Sequence, residues 1–253
     1  MLTRRHTLVG MSSLAVTLHA GGALSQEVED TVLPPLPLEL QAFGQEPDVR
    51  GPVTDYKPYG TYEPTSKQKV LAQKVLAGAQ GKAPPVEVAR YFLSVAQGGQ
   101  GADLRSYAMA WPHYWNPVIV EFFRKIRSTS QGDTTAWCAA FMNYCLMSAA
   151  TSRPLPAGSA PPTRSAASRS FRIWGQKTDA PTPGDIVVFA DKGDDAHGHV
   201  GFFLAQDDTR VLVLGGNQFD GTPVRHVVCR KWLAKDGGKL KLHSYRTDPQ
   251  LHA

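Results

Sequence analysis

Cys138, His199 and Asn217 follow one another in the order of a nucleophile, a base and an orienting amide. Cys138 lies in Gly132-Asp133-Thr134-Thr135-Ala136-Trp137-Cys138-Ala139-Ala140-Phe141, which reads as a turn becoming a helix. Asp133, Thr134 and Thr135 each carry a side-chain oxygen able to cap a helix start, and residues 136–150 contain no Gly or Pro. With Thr135 as the cap, Cys138 falls in the first helical turn. There the N–H groups and the positive end of the helix dipole lower a thiol pKa, and the thiolate is the nucleophilic form.

A base must sit on a rigid element. His199 opens an apolar strand directly after the polar loop 191–196, whereas His197 stays in that loop, so His199 is the candidate base. A hairpin turning over residues 206–210 sets His199 opposite Asn217 on one sheet face. Any even register keeps Asn217 there, and an odd register substitutes Gln218. An amide oxygen accepting the imidazole Nδ1–H would fix the tautomer and aim Nε2 at the thiol. Asn217 also suits a plain turn after Gly215-Gly216. Asp195, His197 and His199 are close in sequence, but no remote ligand completes a metal set, and acyl transfer by a thiol requires no cofactor.

Those residues need a scaffold, and the chain divides accordingly. Residues 26–64 are rich in proline and read as a linker or strap; Tyr56, Tyr59 and Tyr62 suggest that part of it packs down. Three helices are expected next. Ser66 caps the first, with Val70, Leu71, Val75 and Leu76 on one face; Pro84-Pro85 begin the second; Asn116-Pro117 begin the third. Trp111-Pro112-His113-Tyr114-Trp115 joins the last two, as a plug between helices or as a sugar-stacking loop. A short helix over 165–174 precedes strands at 185–190, 199–205, 211–214, 224–230 and 239–246. Helices before an antiparallel meander give an α+β order.

Composition fits a folded chain: 253 residues, 42% hydrophobic and 19% charged. The net charge of +5 comes without a clustered Lys/Arg tract, which argues against a nucleic-acid partner. Residues 1–25 have the layout of a cleaved export signal: Arg4-Arg5, an apolar run to about Ala20, then small residues. The run is short of the roughly 20 residues of a membrane span. The paired arginines suggest the twin-arginine route, hence a periplasmic or secreted protein. Cys145 and Cys229 read as small buried hydrophobes, with a bridge between them as the alternative.

Four motifs in order resemble the CHAP and NlpC superfamily of cysteine amidohydrolases and peptidases. They are Trp137-Cys138-Ala139-Ala140-Phe141, Pro183-Gly184-Asp185-Ile186-Val187-Val188-Phe189, Gly198-His199-Val200-Gly201-Phe202-Phe203 and Leu214-Gly215-Gly216-Asn217-Gln218. The resemblance covers about 116–246, leaving 65–115 as a helical accessory segment and 247–253 as a tail. It implies a papain-like α+β core, a nucleophile helix on an antiparallel sheet of about five strands. It also implies cleavage of amide bonds in peptidoglycan stem peptides by Cys138 and His199. Asn217, or alternatively Gln218, is the third member; many CHAP relatives carry an acid in that neighbourhood. Trp137 and Arg169 are the candidate substrate contacts.

The expected reaction is attack by a Cys138 thiolate paired with a His199 imidazolium, then hydrolysis of the thioester. A deamidase or acyltransferase using the same residues, and a non-catalytic wall-binding module, are the competing readings. Neither the amide cleaved nor the oligomeric state follows from the sequence.

Overall fold

The computed structural model describes residues 62–127, 136–220 and 225–253. The export signal, most of the Pro-rich segment and the capping residues Asp133 to Thr135 lie outside the described residues.

Helix α1 (Ser66–Gly78) is capped one residue earlier than expected. Thr65, not Ser66, accepts from Gln68 N–H, and the Gln68 side chain returns to Thr65 N–H, a reciprocal capping box. Its buried face is Ala72, Val75 and Leu76, while Val70 is 68% exposed. Helix α2 (Pro85–Ala96) begins with proline at its first position, and α3 (Pro117–Lys125) is capped by Asn116, whose Oδ1 accepts from Val118 N–H. A 3-10 turn (Ala102–Ala108) lies between them. Trp111 is buried and donates its indole N–H to Ser106 O, so it plugs the helical layer; Tyr114 beside it is exposed. Tyr62 hydrogen-bonds through its backbone to His113 and Trp115.

Helix α4 (Cys138–Ser152) is buried almost all round. Phe92, Phe122, Phe141 and Tyr144 form an edge-to-face cluster joining α2, α3 and α4. The 65–115 helices therefore share one hydrophobic core with α4 and the sheet. The chain end, expected as a tail, is also packed: Leu251 is buried and Gln250 Nε2 donates to Ala160 O.

The sheet has strands β1 (Gln176–Thr178), β2 (Ile186–Asp191), β3 (Gly198–Gln206), β4 (Arg210–Asp220), β5 (Arg225–Ala234) and β6 (Leu240–Thr247). Their order is β1-β6-β2-β3-β4-β5, all antiparallel. The meander holds for β2 to β5, but β6 crosses to pair with β2, and the three-residue β1 adds a sixth strand at that edge. Val188, Val200, Phe202 and Leu214 join the core with α4. Val187, Phe189, Phe203, Val213 and Tyr245 build a second apolar cluster, which accounts for strands apolar on both faces.

Candidate active site

Cys138 is the first residue of α4. Trp137 occupies the capping position, with no side-chain cap, so the thiol stands closer to the helix terminus than a Thr135 cap would place it. It is fully buried, as is Cys145, Cys229 is 9% exposed, and none of the three forms a disulfide, so the alternative bridge is absent. Position separates them. Cys145 lies mid-helix, and burial pushes its thiol pKa well up; burial also pushes Cys229 up to about 11. Both are inert core thiols at neutral pH.

The base and the helix start reach β4 one residue apart, at Gly215 and Gly216. A β-carbon on Gly216 would stand 2.3 Å from Trp137 Cζ3 and 2.9 Å from Phe141 Cγ, so only glycine lets the start of α4 settle on the strand. Trp137 is thus a packing residue against β4, its ring 1% exposed, rather than an exposed platform for substrate. A β-carbon on Gly215 would stand 3.4 Å from His199 Nε2 and 3.5 Å from Gln218 Nε2. His199 and Gln218 therefore converge over the same glycine.

The expected even register is present where β3 and β4 pair, Phe202 with Leu214 and Phe203 with Val213. The side chain that reaches His199 is nevertheless Gln218. Between Gly215 and Gln218 the pairing of β4 with β5 shifts: Gly215 opposes Cys229 and Gln218 opposes Val227, so Gly216 and Asn217 face Val228 alone. That extra residue is a bulge, and Asn217 takes φ +58, the left-handed region that Asn tolerates best after Gly. Alternation resumes one residue late. Gln218 Nε2 donates to Cys229 O (2.6 Å) and Gly215 O (3.2 Å), and its Oε1 is buried without a partner, as is His199 Nε2. Asn217 points elsewhere: its Oδ1 lies 2.6 Å from Nδ1 of the buried His226.

His199 is 4% exposed. Burial lowers its pKa to about 4, only partly offset by the neighbouring Gln218 amide, with Lys231 lowering it further. Burial thus favours the neutral imidazole. Its Nε2 is the nitrogen at Gln218, which leaves Nδ1 as the nitrogen that can take a proton from a thiol, the reverse of the expected tautomer.

The remaining candidates lie apart. Asp185 shapes the entry to β2: Oδ2 accepts from Thr182 N–H and Oδ1 pairs with His252 Nε2 at 2.8 Å. Asp195 pairs with Arg172, and His197 Nδ1 lies 2.9 Å from Asp194 Oδ2, so the 194–197 loop is held by polar contacts of its own side chains. Arg169, on the 3-10 turn Ser168–Arg172, lines a surface cavity of about 420 Å³ with Pro161, Pro162, Ile173 and Trp174. Arg172 ties that cavity to the base's loop by donating to His197 O. His226 was missed in the sequence, where it reads as one more strand residue. The nearest signal was Gly215-Gly216-Asn217 inside a strand pattern, which marks a bulge as readily as a turn.

A family model described as CHAP domain matches residues 130–217, which contain the Cys138 helix, the His199 strand and the two glycines. This segment is a CHAP domain. It belongs to the NlpC/CHAP cysteine peptidase superfamily, whose CHAP members are generally peptidoglycan hydrolases of amidase or peptidase type. No curated protein and no solved structure matches the chain. The matched CHAP segment stops at Asn217, one residue short of Gln218, and excludes both β5 and the helices before residue 130.

Proposed function

We propose that this protein is an exported cysteine hydrolase that cuts an amide bond in peptidoglycan peptides, with Cys138 as nucleophile, His199 as base and Gln218 as the amide that orients the base. The observation that carries the reading is the convergence of His199 and Gln218 on Gly215, one residue from the glycine that seats the Cys138 helix start. As the thiol attacks the carbonyl, its proton passes to His199 Nδ1. Gln218 Oε1 and His199 Nε2, both buried and otherwise unpartnered, close on each other in the reaction and keep the ring in the required tautomer. The imidazolium then protonates the leaving amine, and the neutral ring activates water against the thioester. The N–H groups at the start of α4 would be the donors to the developing oxyanion. Residues 1–25 supply the export reading, with the periplasm or the exterior as destination.

The test is digestion of purified sacculi by the full-length mature protein, with soluble products resolved by mass spectrometry. New free amines at a single type of amide bond are expected, and their masses name the bond. Intact sacculi with no new amine, from protein whose fold is verified by circular dichroism, would reject the hydrolase reading and favour a wall-binding module.

A further inference from the structure

We infer that His226 is a positioning residue: through Asn217 it holds the β4 bulge that sets Gln218 against His199. The inference rests on the reading of His199 as the base, and it extends the site to β5, outside the segment that matches the family.

Asn217 is a non-glycine residue at φ +58 in the middle of a strand. That conformation is disfavoured for L-residues, Asn least among them, and inside a strand it has to be held against the extended pairing on either side. The hold comes from the side chain. Asn217 Oδ1 can only accept, so the 2.6 Å contact is a hydrogen bond from His226 Nδ1–H. Asn217 Nδ2 is buried without a partner, so it does not supply the hold. His226 is itself fixed. It is 2% exposed, its ring meets Phe219 at 4.5 Å, its carbonyl accepts from Ala110 N–H at 2.8 Å, and the next residue, Val227, bridges to Met109. The bulge is thus clamped from β5 and from the helical layer together.

Without the bulge, strand alternation would return Gln218 to the other face. Gln218 Nε2 would leave Cys229 O and Gly215 O, and Gln218 would no longer sit beside His199 over Gly215. His226 therefore acts at a distance of two residues, through backbone geometry, on the tautomer of the base.

The test compares wild type, His226→Phe, His226→Gln, Asn217→Gly and the double variant His226→Phe/Asn217→Gly, each as full-length mature protein. The readout is the tautomer of His199, from nitrogen-15 shifts of labelled histidine, beside amine release from sacculi. Wild type should hold the proton on Nε2. His226→Phe should give a mixture of tautomers and reduce amine release by about ten- to a hundredfold. His226→Gln, which restores a donor, should recover most of both. Asn217→Gly adopts positive φ without help, so adding His226→Phe in that background should change nothing further. An unchanged tautomer in folded His226→Phe, or an equal effect of His226→Phe in both backgrounds, overturns the proposal. The tautomer reports on positioning even if sacculi prove not to be the substrate.

Discussion

The two halves of β4 are built on opposite principles. From Arg210 to Leu214 the strand pairs with β5 without interruption, its apolar residues fill both clusters, and Asp207 and Arg210 close the hairpin with a double contact at 2.7 and 3.0 Å. From Gly215 to Gln218 it has two glycines, a left-handed asparagine, a shifted register and buried polar atoms on His199, Asn217 and Gln218 without partners. Toward β5 the first half is paired residue for residue. The irregular half concentrates unsatisfied groups where a reacting substrate could use them, and the ordered half keeps it in place.

The sharpest way to break the comparison is at the base. His199→Ala should reduce amine release by about a hundred- to ten-thousandfold while leaving the fold intact, measured by sacculus digestion and circular dichroism. A second prediction uses pH. The folded pKa of His199 is lowered from 6.5 to about 4 by burial, so the unfolded chain binds the extra proton between these values. Its contribution to stability is then constant above about pH 6.5, falls as pH drops toward 4, and is constant again below. Urea midpoints at pH 7.5 and 4 should fall further for wild type than for His199→Gln, by up to about 3 kcal/mol.

Two further substitutions weigh one half of the strand against the other. Gly216→Ala forces a methyl into the Trp137 and Phe141 rings and should cost about 1–3 kcal/mol in chemical denaturation, with a large loss of amine release. In the regular half, Trp232 lies half exposed under the Arg210 guanidinium at 5.0 Å. Trp232→Leu should shift the midpoint by less than about 1 kcal/mol and leave amine release unchanged.

Local signals carried most of the scaffold. Pro84-Pro85 and Asn116-Pro117 open helices where proline-plus-cap chemistry says they should, and the Cys138 helix begins within its expected turn. Strand positions followed from apolar runs; the expected register of β3 against β4 holds at Phe202–Leu214 and Phe203–Val213, but next to the turn it is shifted by one, Ala205 with Leu212 and Gln206 with Val211. Long-range choices were not legible. The crossover of β6 to β2 depends on which sheet edge is open, and the three residues of β1 carry no pattern of their own. At the site, parity favoured Asn217 and the bulge delivers Gln218, because one left-handed residue resets alternation for everything after it. His226 had no local signature at all. Its role arises only when β5 is laid beside the bulge.

The most direct test of the central claim is the mass of the protein in an acid-quenched reaction with sacculi, followed by peptide mapping. A thioester at Cys138 should trap an acyl fragment whose mass matches the carboxyl side of the bond cleaved. Amine release continuing at the wild-type rate in folded Cys138→Ala, with no adduct on the peptide carrying residue 138 in wild type, would contradict it.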